Sequence, residues 1–253
     1  MLESFAVVVF IGHVLGDFYF QSEELSEKKN NSEMALILHC VTYLIVVMTV
    51  GWIICGNKAL LYLLFMGIVH LIVDVVKHLE IKMCHNYERK ELNYFLNDQV
   101  LHIISIVAVL LYMHIAEVTL SYNRCIFVDR IFDLNLNVNG ILAFALYILL
   151  LIKPSNIIIH KVMNRYILRE ENMQEQIGRK IGVLERLLIA ISLIMNQYMF
   201  IGFILIAKSV VMYEKLKKEE TYSERYILGT FLSFFLAIIF YMAIFKIKYF
   251  IIR

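Results

Sequence analysis

Ala59-Leu-Leu-Tyr-Leu-Leu-Phe-Met-Gly-Ile-Val-His70-Leu-Ile-Val-Asp74-Val-Val-Lys77 is an apolar run with one histidine and one aspartate set inside it. It contains no proline and has about the length of the ~20 residues that carry a helix across a hydrocarbon core. Comparable runs occupy about residues 2–20, 34–55, 94–118, 140–159 and 226–246. Of the 253 residues, 60% are hydrophobic and 18% charged, against roughly 45–50% and about 25% in ordinary globular domains. A soluble fold of this size cannot hide so much apolar surface. Lipid accepts only helices or closed barrels. Barrel strands read as short alternating segments, whereas these runs are continuous, with one proline and ten glycines in the whole chain. The fold expected is all-α and integral to the membrane.

Outward from residues 59–77, the first four runs predict a four-helix transmembrane bundle over residues 1–120. Residues 121–253 form a second membrane half. It holds a helix at 140–159, a charged segment at 160–180 with apolar residues at helical spacing, and a last helix at 226–246. The 160–180 segment reads as an amphipathic helix on the membrane surface. Residues 181–213 are too long for one ordinary span, and Asn196-Gln197 sits in their middle. They form either one tilted span or a helical hairpin. The hairpin puts the Lys215–Lys218 cluster on the same side as the other basic loops.

Those loops set the expected orientation. Lys28, Lys29, Lys82, Arg89, Lys90, Lys161, Arg165, Arg169, Arg179 and Lys180 follow the first, third and fifth helices, while Lys58, Arg124 and Arg130 lie opposite. The excess of Lys and Arg marks the cytoplasmic side. A multi-pass protein of the cell's inner membrane with its N-terminus outside is expected. Net charge is +2, and the one basic tract is short, so nucleic-acid binding is not expected. The four cysteines are scattered with no CxxC and read as apolar fillers. The first run contains His13 and Asp17 and lacks a basic leader and a cleavage site, so it reads as a retained helix.

An ionisable residue inside a span costs about 2.5–3.5 kcal/mol on insertion scales, so its repeated presence needs a partner. Here His13 and Asp17, His70 and Asp74, and Asp98 and His102 are each spaced i, i+4, which puts both members on one helix face. His39 adds a fourth imidazole. The pairs fall near the end of the first helix, near the end of the third and near the start of the fourth, and His39 near the start of the second. In an up-down bundle these positions share one depth. Imidazole and carboxylate together suit a divalent metal, zinc first, then manganese or iron. Seven groups exceed one tetrahedral shell, so the set has room for one ion or for two, about 3.5–4 Å apart if both bind. Asp98 and Asp17 are the candidates for general base. Tyr43 and Gln99 are the candidates for supporting the ligands from behind. His78, His85, His114 and His160 lie in or beside loops or near a helix end and read as solvated or interfacial residues rather than ligands.

The motifs His13-Val-Leu-Gly16-Asp17-Phe18-Tyr-Phe-Gln21, His39, His70-Leu-Ile-Val-Asp74-Val-Val-Lys77 and Asp98-Gln99-Val-Leu-His102 resemble the bacterial membrane family called domain of unknown function 3307. The resemblance covers roughly the first 110 residues. That family is distantly similar to predicted membrane-bound metal-dependent hydrolases. A second set looks like the C-terminal half of longer members: Lys153-Pro154, Gly178 to Arg186, Ala207-Lys208-Ser209, Glu224 and Gly229-Thr230. The chain departs from that pattern after Lys208-Ser209, where Val-Val-Met-Tyr213 stands in place of a segment with an arginine.

The expected function is a metal-dependent hydrolase at the inner face of the membrane, acting on an amphiphilic phosphate- or ester-containing substrate. Lys77, Arg186 and Lys208 are the candidates for holding a substrate anion; for Glu185 with Lys208 the favoured reading is an ion pair fixing the hairpin. A proton or divalent-metal transporter is the alternative. A membrane scaffold or sensor is a third reading. Membrane lipid is the one partner expected, and the oligomeric state is left open.

Overall fold

The structure is a computed structural model that describes residues 2–84, 87–120, 137–166, 173–218 and 220–246. The described residues form helices joined by turns, with no strand among them. Helix α1 (Leu2–Val14) runs on into a π-helical turn (Leu15–Tyr19). A short α2 (Glu23–Lys28) precedes α3 (Glu33–Cys55), α4 (Leu60–Met83) and α5 (Tyr87–Ile115). Then come α6 (Val138–Tyr166), α7 (Met173–Ile194), α8 (Tyr198–Lys218) and α9 (Glu220–Tyr241). Among the described residues, five helical stretches are long and apolar enough to cross a membrane: Glu33–Cys55, Asn57–Met83, Lys90–Ile115, Val138–Tyr166 and Ser223–Lys246. The protein is an all-α membrane protein. Its contacts divide the chain into two compact units, Met1–Leu146 and Tyr147–Arg253.

In the first unit the usual inside-out rule is inverted. Helix α3 buries Ala35, Leu36, His39, Cys40, Tyr43, Val46 and Val47, a stripe at steps of three and four. Its opposite face exposes Met34, Ile37, Leu38, Val41 and Ile45. Helix α4 does the same, burying Leu63, Met66, Gly67, His70 and Asp74 while Leu61, Phe65, Ile68 and Ile72 point outward. Lipid is the solvent for such surfaces, so packing rather than hydrophobicity holds the helices together. Small residues allow that packing. Gly12 on α1 and Gly16 on the π-helical turn meet Val47 and Tyr43 of α3. A β-carbon on Gly16 would come within 2.7 Å of Tyr43 Cδ2.

Local signals set the helix ends. The Ser22 hydroxyl accepts from the Leu25 amide and the Ser32 hydroxyl from that of Ala35, capping α2 and α3. Gly56 takes φ 70°, a conformation that glycine adopts freely, and α4 starts after the short turn Asn57–Ala59.

In the second unit, Tyr147, Leu151, Ile189, Ala190, Leu193, Ile201, Ala237 and Tyr241 make the core. The long stretch 181–213 is two helices. Asn196, at φ 57°, takes the left-handed conformation that asparagine tolerates, and the Gln197 amide donates to the Ser192 carbonyl at 2.8 Å. Across this turn Lys208 pairs with Glu185 at 2.7 Å. Residues 160–166 continue α6 and residues 173–180 begin α7; the middle of the expected surface helix, 167–172, lies outside the described residues.

Candidate metal centre

Seven polar residues of the first unit are as buried as its apolar core: His13, Asp17, His39, His70, Asp74, Asp98 and His102 are each at most 7% exposed. Four helical elements supply them. Asp17 stands on the π-helical turn that ends α1, with the Phe20 amide reaching back to the Leu15 carbonyl at 2.8 Å. Such turns insert a residue and re-aim a side chain, and they recur at functional sites. Asp17 Oδ1 comes within 3.3 Å of His39 Nε2.

His39 Nε2 also lies 3.2 Å from Asp74 Oδ2 and 3.3 Å from His70 Nε2. His70 Nε2 is 3.6 Å from Asp74 Oδ2. On the other side of Asp74, His102 Nε2 is 3.6 Å from Asp74 Oδ1 and 3.4 Å from Asp98 Oδ1. Three groups of ligand atoms, each within 4.8 Å of one another, follow: Asp17 with His39 and His70, His70 with Asp74 and His102, and Asp17 with Asp98 and His102. Asp17, His70 and His102 each serve two groups, so the three are one continuous cluster.

These separations match a coordination shell. Bonds of about 2.0–2.1 Å around a tetrahedral ion put neighbouring donors about 3.3–3.4 Å apart. Two imidazole nitrogens facing each other at 3.3 Å satisfy only one with a proton. Asp17 Oδ1, Asp74 Oδ1, Asp98 Oδ1 and His102 Nε2 are buried without a hydrogen-bond partner. Orphaned buried acceptors are expensive, and these four belong to the same cluster. The donor set could hold a divalent metal ion.

The surroundings hold the ligands in place. The His70 ring lies between Tyr43, stacked at 3.4 Å and 2°, and His102, stacked at 4.2 Å and 23°. Its Nδ1 has no hydrogen-bond partner, so stacking replaces the hydrogen bond that usually orients a ligating histidine. The Tyr43 hydroxyl sits 3.2 Å from His13 Nδ1. His13 belongs to none of the three groups; its ring is 5.4 Å from that of His102. Gln99 Nε2 donates to Asp17 Oδ2 at 2.7 Å. Lys77 Nζ donates to Asp98 Oδ2 at 2.7 Å, which places it at the cluster. The Cys40 thiol is 3.8 Å from Asp74 Oδ2.

Two sequence expectations need correction. His78 is not solvated: it is 5% exposed, with Nδ1 2.9 Å from the Lys29 carbonyl. Arg186 is not available to a substrate. It is 1% exposed, and its guanidinium donates to the Leu151 carbonyl at 2.8 Å, to Ser233 Oγ at 3.1 Å and to Asn156 Oδ1. Pro154 explains the acceptors nearby. It has no amide proton and frees the Leu150 carbonyl, which Ser155 Oγ takes up at 2.9 Å. Arg186 braces this irregular turn of α6 against α7 and α9. Lys208, on the second unit, is held by Glu185.

One cluster residue carried no signal in the sequence beyond loop charge. Lys29, at the end of α2, is 6% exposed, and its Nζ lies 3.6 Å from Asp74 Oδ2. Burial disfavours its charge, but Asp74, Asp17 and Asp98 outweigh burial and hold the ammonium above the ordinary lysine pKa. Its neighbour Lys28 points to solvent and pairs with Glu24. Only the helical phase of α2 distinguishes the two lysines.

No curated protein and no solved structure matches the chain. Residues 5–128 match a family described as "Protein of unknown function (DUF3307)". That stretch begins near the start of α1 and takes in all of α3, α4 and α5, with every His and Asp of the cluster. Through residues 5–128, the chain belongs to the DUF3307 family.

Proposed function

We propose that this protein is a metal-dependent hydrolase of the inner membrane, with its N-terminus outside and its site toward the cytoplasm, acting on an amphiphilic phosphate or ester. The observation that carries the reading is the shared cluster of Asp17, His39, His70, Asp74, Asp98 and His102, with donors at metal-shell separations. When bound, a divalent ion supplies a polarised oxygen and a water acidic enough to attack at neutral pH. Zinc suits these donors, and manganese or iron would also be accepted.

The chain's own groups have separable tasks. His39, His70 and His102 offer neutral nitrogens, and Asp74 offers both its oxygens to the set. Asp17 and Asp98 each have one oxygen engaged by a side-chain donor, from Gln99 and Lys77 respectively, and one without a hydrogen bond. A carboxylate fixed in that way can take a proton from an attacking water. His13 stands beside them, linked to Tyr43.

Transport is less well supported. In the first unit the bundle beyond the cluster buries Phe5, Val8, Val9, Leu63, Met66, Ile106 and Val109, an apolar plug rather than a polar path. The test is metal analysis of the purified protein by mass spectrometry, wild type against His70→Ala and Asp74→Ala. The wild type should carry stoichiometric metal and both variants little. Equal, substoichiometric metal in all three refutes the reading.

A further inference from the structure

We infer that Lys29 is an anion-holding residue, and that the ligand it receives at the His/Asp cluster carries a phosphoryl oxyanion. The inference rests on the metal reading above and names the class of substrate.

Lys29 belongs to a strap, residues 22–32, that connects α1 to α3. The strap is pinned at this residue and at the next. His78 of α4 holds the Lys29 carbonyl at 2.9 Å, and Asn30 Nδ2 donates to the hydroxyl of Tyr87, at the start of α5, at 3.2 Å. The backbone is thus fixed so that one long side chain points inward. Lysine is almost never buried this fully unless paired. Yet the Lys29 ammonium makes no hydrogen bond among the described residues; its one ion contact is Asp74 Oδ2 at 3.6 Å. Lys77, by contrast, donates to Asp98 at 2.7 Å. A buried ammonium beside Asp74 is therefore left without a hydrogen bond among the described residues.

The charge balance says what it awaits. With the imidazoles neutral, as ligation requires, three carboxylates face the two ammoniums of Lys29 and Lys77. One divalent ion already turns the sum positive, and a second makes it more so. With one ion bound a single lysine completes the neutralisation of the carboxylates and the other is surplus; with two ions bound both are surplus. A buried cationic site demands a counter-ion. Phosphoryl oxygens suit it best, since they ligate a metal and accept hydrogen bonds from ammonium groups at once.

The whole protein in dodecyl maltoside micelles, loaded with Mn2+ or Co2+, provides the test. Metal loading is read by electron paramagnetic resonance. Binding is read as the saturable relaxation of 31P in inorganic phosphate and, separately, in dodecyl phosphate mixed into the micelles. Lys29→Met should keep its metal and weaken phosphate binding by about tenfold or more, the cost of one charge-assisted hydrogen bond. Lys29→Arg should recover most of it, and Lys28→Met, on the exposed side of the same strap, should behave as wild type. Tighter binding of dodecyl phosphate identifies a lipid phosphate as the source; tighter binding of inorganic phosphate identifies a soluble one. Undiminished phosphate binding in Lys29→Met, or loss of its metal, overturns this inference alone. A wild type that takes up neither ion overturns the metal reading and this one with it.

Discussion

Gly16→Ala adds one methyl group and touches none of the candidate ligands, yet it should abolish metal uptake by the candidate centre. The new β-carbon would sit 2.7 Å from Tyr43 Cδ2, 3.3 Å from its Cγ and 3.3 Å from its Cα. Ordinary contact begins at 3.4 Å, so the ring must give way by 0.7 Å, while the neighbouring backbone atom limits any pivot. The ring already stacks on His70 at 3.4 Å, and His70 on His102 at 4.2 Å. A displacement of that size exceeds the roughly 0.2 Å tolerance of a metal site. Overpacking of this kind costs about 1–3 kcal/mol, and lost metal binding adds its own share of stability. Gly12→Ala, whose β-carbon would meet Val47 at 3.4 Å, should be milder. Gly202→Ala has open space around it and should be neutral or slightly stabilising, as alanine favours a helix. Metal content and thermal unfolding with and without added metal measure the series. A Gly16→Ala protein that loads metal and unfolds like wild type refutes the stacking argument.

Arg186→Met leaves acceptors on Leu151, Asn156 and Ser233 unpaired and should destabilise the protein by about 2–5 kcal/mol, read by denaturant unfolding; Arg186→Lys, with no planar fork, should rescue little. His78→Phe removes the hold on the Lys29 carbonyl, so amide exchange over residues 22–32 should quicken about fivefold, as a lost bond of ~1 kcal/mol implies; unchanged exchange means that the strap is held elsewhere. Burial, with Glu91 nearby, pushes the Tyr87 hydroxyl up to about 12. A raised folded-state value favours the protonated form, so its stabilisation is complete below about pH 10 and is lost as pH rises through 12. Tyr87→Phe should flatten that part of an unfolding-versus-pH curve, and an unaltered slope would assign it to another group.

Hydropathy and spacing exposed the spans and the i, i+4 pairing of His with Asp because both are local properties of one helix. The break at Asn196-Gln197 was legible for the same reason, two polar residues inside a run too long for one span. Phase was not. Nothing in the sequence marks residues 15–19 as a π-helical turn, and the aim of Asp17 depends on it. The opposite fates of Lys28 and Lys29 depend on a single helical step in α2. His78 and Arg186 were misjudged because their burial comes from partners 49 residues away, at Lys29, and 35 and 47 residues away, at Leu151 and Ser233. A polar residue's neighbours in sequence do not report which carbonyl awaits it in space.

The tight turn at Gly56–Ala59 bears on how the chain enters the bilayer. Taken singly, α4 would carry His70 and Asp74 into lipid with no partner, at about 2.5–3.5 kcal/mol for the aspartate alone. The turn returns α4 directly against α3, where His39 meets both His70 and Asp74. The two helices can therefore leave the ribosome and partition as one hairpin, with polar groups shielded before α5 is made. Lengthening the turn with a glycine-rich insert should separate those two events. In a cell-free glycosylation-mapping assay on truncated chains, α4 should then insert less efficiently than in the native hairpin. Equal insertion would mean that the bilayer accepts His70 and Asp74 unaided.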